Sequence, residues 1–267
     1  MWRRIKLTSI DFGDNFNTSN VTDMSRMFYG CSSLTSLDLS NFNTFFVRNM
    51  NVMFDSCISL TSLNLSNFNT TNVKYMSGMF CYCSSLTNLN LSNFNTSNVV
   101  SMDAMFDSCI SLTSLNLSNF NTENVVSMYE MFYGCRSLTS LNLSNFITEK
   151  VKYMYGMFNG CSNLTSLDLS SFNTANVNDM GFMFQDCTRL TSLNLYNFDM
   201  GGLTDDHYYY DPYDRSRYWD CHPGKNKMCL NLASESGACT ITCPTAVQTE
   251  LQSGTDLDNS IITWHTH

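Results

Sequence analysis

Leu37 and Leu39 alternate with Ser36, Asp38 and Ser40, and the same alternation returns 26 residues later and five times after that. A period of two over a short run marks a half-buried strand. Behind it the period changes. Val47, Met50, Met53 and Phe54 stand at i, i+3, i+6 and i+7, which is one face of a helix at 3.6 residues per turn. Threonine precedes this run in every copy, from Thr18 through Thr44 to Thr174, where a helix N-cap belongs. Each unit therefore predicts a short strand, a turn and a short helix. The register does not slip: Cys31, Cys57, Cys83, Cys109, Cys135, Cys161 and Cys187 recur every 26 residues, each followed three places on by a leucine.

Self-similarity at so short a period means a solenoid, because one unit buries too little to stand alone and must lean on its neighbours. The predicted fold is an α/β solenoid of the leucine-rich-repeat kind. It has a parallel sheet of about eight short strands, the first over 7–12, with short helices on the convex side. The solenoid takes up 1–200, and 201–267 forms a small cysteine-containing cap or interface region.

The string SNFNTSNV (residues 92–99) followed by MxxMFxxCxSLTSLxL (102–117) resembles the 26-residue repeat of BspA-like leucine-rich surface proteins. The likeness extends over 7–200. It implies a cell-surface or secreted protein associated with adhesion, and it carries over no catalytic residue. The tail resembles nothing in that family.

Several columns carry candidate chemistry. The outward strand positions Ser36, Asp38, Ser62, Asn64, Asn90, Ser114, Asn116, Ser140 and Asn142 predict a flat, nearly uncharged concave face rich in hydroxyls and amides. Such a face suits a protein or glycan surface, or plain solvation; it lacks aromatic side chains for small-sugar recognition. The Asn columns at 41 and 43 and their counterparts sit at the strand-to-helix corner, where Asn satisfies turn backbone. Asn17, Asn20, Asn64, Asn69, Asn90, Asn95, Asn116, Asn142 and Asn163 also complete N-x-Ser/Thr sequons, which a secreted protein could carry as glycans. The cysteine column predicts a ladder of buried thiols, although rungs about 4.7–5 Å apart also fall within disulfide reach. Cys81, off that column, is expected at the surface.

The tail is aromatic and acidic. Tyr208, Tyr209, Tyr210, Tyr213, Tyr218 and Trp219 suit an interface. Cys221, Cys229, Cys239 and Cys243 form an even set that predicts two disulfides in an oxidising compartment; their spacing does not match common zinc motifs, even with His222 nearby.

Charge narrows the partners. The net charge is −9, with ten basic and fourteen acidic side chains in 1–200 and four and nine in 201–267. Nothing here offers nucleic acid a basic stripe. No run of eighteen apolar residues spans a membrane, and the basic start, Arg3-Arg4, has no apolar stretch behind it to act as a secretory signal. Catalysis needs unlike groups converging on one spot. The repeats place like residues in files, and all four histidines lie in the tail. No catalytic, cofactor or metal site is expected. The expected function is an extracellular adhesion or protein-contact module. The alternative is a subunit that stacks into filaments through the solenoid end and the aromatic tail, with ice binding a distant third.

Overall fold

The computed structural model describes residues 6–13, 15–203, 209–210, 217–218, 239–254 and 262–267. The chain is a parallel β-solenoid of seven coils, with very little helix. The coils run 18–43, 44–69, 70–95, 96–121, 122–147, 148–173 and 174–199, and each has a strand side and a turn side. The strand side carries β1 (Ser36–Asp38) paired in parallel with β2 (Ser62–Asn64), and β3 (Ser166–Asp168) paired with β4 (Ser192–Asn194), always in a 26-residue register. The core is a set of files. Phe28, Phe54, Phe80, Phe106, Phe132, Phe158 and Phe184 stack with centroids 5.5–5.8 Å apart and planes within 7°, a favourable offset for aromatic rings. Leucine, methionine, valine and cysteine files surround them, almost all fully buried.

The predicted helices are absent, and with them the helical convex side. The run from Val47 to Phe54 is a chain of tight turns: Met53 N–H donates to Met50 O and Asp55 N–H to Val52 O, three residues back rather than four. The alternate amides leave the coil. Met50, Val52, Phe54 and Ser56 donate to Tyr75, Ser77, Met79 and Cys81 O of the next coil at 2.8–3.0 Å. The backbone reaches this arrangement by taking a left-handed residue twice per coil, four positions apart, as at Val52 and Ser56, Ala104 and Ser108, Gly156 and Gly160. No helix of L-residues accommodates that. Inter-coil bonds compensate a cost of about 1–2 kcal/mol at each non-glycine position.

A substitution separates the two structures by sign. In a helix, Gly160→Ala would add about 0.8–1 kcal/mol. Here Gly160 has φ of 74° and a Cβ would meet Gly134 Cα at 3.4 Å, so the expected result is a loss of about 1–2 kcal/mol, read by urea denaturation.

The threonine file is not a row of N-caps either. Thr44 is 1% exposed; its Oγ1 donates to Asn69 O at 2.9 Å and accepts from Asn69 N–H at 2.7 Å. Every threonine from Thr18 to Thr174 staples its coil to the next in this way. The strand expected over 7–12 does not form; Phe12 and Phe16 instead pack on Phe42.

Beyond coil seven further strands are described. β5 (Tyr209–Tyr210) and β6 (Arg217–Tyr218) pair antiparallel. β7 (Cys239–Cys243) then adds to β4, with Ile241 opposite Leu193. After α1 (Thr245–Gly254), β8 (Ile262–Thr266) adds to β7. Val247 and Leu251 of α1 are 1% exposed.

Candidate functional site

The nine strand-side positions singled out in the sequence are brought together: Ser36, Asp38, Ser62, Asn64, Asn90, Ser114, Asn116, Ser140 and Asn142 are all exposed on one face. Their backbone explains how they are held. Asn64, Asn90, Asn116 and Asn142 each accept, through Oδ1, the N–H two residues on at 3.1 Å. The carbonyl half of each amide is thus used inside its coil, and the Nδ2 of Asn90, Asn116 and Asn142 points its donors away. Asp38 accepts from Ser40 N–H and from Asn64 Nδ2, both at 2.9 Å, and these bonds, Ser40 first, hold its carboxyl below the usual range. The face offers donors in rank.

The strand side is not continuous. No ladder joins β2 to β3 among the described residues. Leu89, Leu115 and Leu141 are 8% exposed, against 4%, 2% and 1% for Leu37, Leu167 and Leu193, and Leu63 of β2, which borders the break, is half-buried. In this stretch the corner asparagines reach across instead: Asn93 Nδ2 donates to Leu65 O at 2.9 Å and Phe68 O at 2.7 Å, and Asn119 and Asn145 repeat the pattern. At the end of this interval a cleft of about 280 Å³ opens between Ser140–Ser144 and Ser166 and Asp168.

The turn side holds a group of residues that the sequence reading missed. Asp55 and Asp107 are 8% and 7% exposed. Asp55 accepts from Ser56 Oγ at 2.7 Å and Asp107 from Ser108 Oγ at 2.8 Å. Cys81, expected at the surface, is 3% exposed and lies between these two carboxyls in the file, its Sγ donating to Asp107 Oδ2 at 3.5 Å. Burial pushes Asp107 up to about 6, against the pull of Ser108 and Cys81. Glu130 is pushed up to about 8, by burial first and then by Asp107 and Asp103. One signal in the sequence marks this group: an acidic residue directly after the buried Met-Phe pair, as in Asp55 and Asp107.

The cysteine file consists of free thiols. Each Sγ from Cys57 to Cys187 donates to the carbonyl of the phenylalanine 29 residues earlier, at 3.1–3.2 Å. Burial pushes Cys57 up to about 12, which leaves no thiolate for chemistry. In the tail, Cys239 and Cys243 are buried free thiols on the inner face of β7. The expected partners Cys221 and Cys229 lie outside the described residues, as do Tyr208, Tyr213 and Trp219. Tyr209, Tyr210 and Tyr218 belong to the β5–β6 pair. No helix among the described residues is long and apolar enough to cross a membrane.

This architecture, seven near-identical coils with polar files on two faces, defines a repeat solenoid. The family described as "Mycoplasma protein of unknown function, DUF285" matches the chain twice, over residues 3–114 and 101–214, and the chain belongs to it. No curated protein and no solved structure matches.

Proposed function

We propose that this chain is a non-catalytic surface module, of the BspA-like kind and exposed outside the cell, that binds a glycan or protein through its strand side. One observation carries the reading. Asn90, Asn116 and Asn142 stand in file one coil apart, each with its amide oxygen engaged at home and its Nδ2 donors free to meet a partner's acceptors. The rim of hydroxyls beside them, Ser114 and Ser140, adds adaptable donors and acceptors.

The test is an array of glycans and extracellular proteins probed with the chain and with Asn90→Lys/Asn116→Lys. Saturable binding weakened at least tenfold by the double substitution, and kept by Tyr75→Glu on the turn side, where Tyr75 is exposed between Asn49 and Ser101, is the expected result. Silence across the array, or equal loss in both variants, would refute the strand side as the binding face.

A second reading, self-assembly, is favoured by the edge of coil one. The carbonyls of Asp23, Ser25, Met27 and Tyr29 occupy the positions that accept inter-coil bonds in every later coil, yet have no donor among the described residues. The amides of Ser25, Met27 and Tyr29 are used inside the coil, so along these residues the edge offers acceptors, with the Thr22 N–H beside them in the file whose later members each donate to the coil before. Sedimentation velocity separates the readings: association that grows with concentration and is abolished by Met27→Glu supports assembly, and a monomer throughout rejects it.

A further inference from the structure

The two irregularities described above coincide. Coils three to five lack the strand-side ladder, and between residues 87 and 139 no strand-side backbone bond links neighbouring coils. Their backbone links are the turn-side bonds, such as Ala104 N–H to Tyr129 O at 2.7 Å, Ser108 N–H to Tyr133 O at 2.7 Å and Glu130 N–H to Tyr155 O at 2.8 Å, with the neighbouring file from Val100 to Lys74 and Val126 to Val100. The carboxyls of Asp107 and Glu130 are set on these bonds.

Space around them is short. Glu130 takes a φ of 51° in a column that holds Arg26, Val52, Gly78, Ala104, Gly156 and Phe182 in the other coils, and its side chain lies across Gly156, where a Cβ would meet Glu130 Cγ at 3.1 Å. Asp107 is closed in by Ser108 and Cys81. The titratable groups that face the pair are Asp55, Cys81 and Tyr82 from the coils before, Asp103 and Cys109 from the coil of Asp107, and Tyr129, Tyr133 and Cys135 from the coil of Glu130. The Tyr129 hydrogen bond favours the ionised Glu130 and is outweighed by burial and the two aspartates. Asp103 is itself bonded to Ser101, Ser127 and Tyr129 N–H. The cations that reach the group do so at its margins, Arg26 toward Asp55 and Arg136 toward Tyr133. Carboxylates on consecutive coils with no cation between them among the described residues repel, and the low local dielectric enlarges that repulsion.

We propose that the turn side of coils four and five is a proton-operated hinge: with the carboxyls of Asp107 and Glu130 protonated the middle coils stay clamped, and when they ionise the turn-side bonds there loosen and the rod bends. The sign follows from linkage. Both carboxyls ionise near 4 in the unfolded chain, and their folded values are about 6 and about 8. The clamp is therefore complete below about pH 4 and weakens as pH rises through 6 and then 8.

The experiment is amide hydrogen exchange on the full chain at pH 5 and pH 9, expressed as protection factors so that the intrinsic pH dependence cancels. Protection over 100–134 is expected to fall at least tenfold while that over 151–161 is unchanged, and Glu130→Gln combined with Asp107→Asn is expected to remove the fall. Glu130→Gly, which keeps a residue at ease with positive φ, serves if the double variant does not fold, and should halve the effect or better. A fall spread equally over all coils, no fall at all, or a fall that survives in the variants would each overturn the hinge.

Discussion

Phe106→Ala is expected to lower unfolding stability by about 3–5 kcal/mol, the range for deleting a buried aromatic ring. That is a large share of the roughly 5–15 kcal/mol that holds a typical domain. Phe106 is fully buried, 5.8 Å from Phe80 and 5.7 Å from Phe132 in the central file, so the cavity removes two ring contacts at once. Position sharpens the effect. A solenoid is stabilised by nearest-neighbour interfaces, and the interfaces on either side of coil four have no strand ladder in reserve. The urea transition followed by circular dichroism is therefore expected to split, the coils on one side of the break melting before the other. Phe45→Ala is the control: Phe45 is 47% exposed and its loss is expected within about 0.5 kcal/mol. A single transition displaced equally by both substitutions would mean that the phenylalanine file does not hold the coils together.

The files themselves were readable from the residues alone, because a 26-residue period with no slip puts like side chains at like places, and Leu34, Met50, Phe54 and Cys57 could only point inward. The backbone between them was not. A helical face and a succession of turns both put apolar residues at i, i+3, i+6 and i+7. What distinguishes them is where the intervening residues can go, and the sign of that was faint: glycine recurs at Gly30, Gly134 and Gly160, and at Gly78 and Gly156, columns that a helix interior would keep free of it. The threonine caps followed from the helix and fell with it. The strand-side face was legible because alternation in a strand assigns outward positions directly. The turn-side carboxyls were not, since that column changes chemistry from coil to coil, from Tyr29 through Asp55, Cys81 and Asp107 to Tyr133.

The threonine file gives the second large effect. Thr96→Val keeps the shape of the side chain and removes only its hydroxyl. Thr96 is fully buried; its Oγ1 donates to Asn121 O at 2.9 Å and accepts from Asn121 N–H at 2.8 Å. Without it both backbone groups of Asn121 are stranded, at about 1–3 kcal/mol each, so the pair costs on the order of 2–6 kcal/mol. At roughly 2–4 °C per kcal/mol for a chain of this size, the melting temperature is expected to drop by about 4–24 °C. An N-cap threonine would lose about 0.5–2 kcal/mol, and the two roles part more widely in a second variant. Aspartate is among the best N-caps, so Thr96→Asp would be harmless in a cap. In a staple it is worse than valine, because a carboxylate cannot donate to Asn121 O and is buried beside it. Thr96→Ser preserves both bonds and should melt close to the parent. If the aspartate variant melts with the serine one, the hydroxyl is not bridging the coils, and the turn-side architecture built on those bridges is wrong.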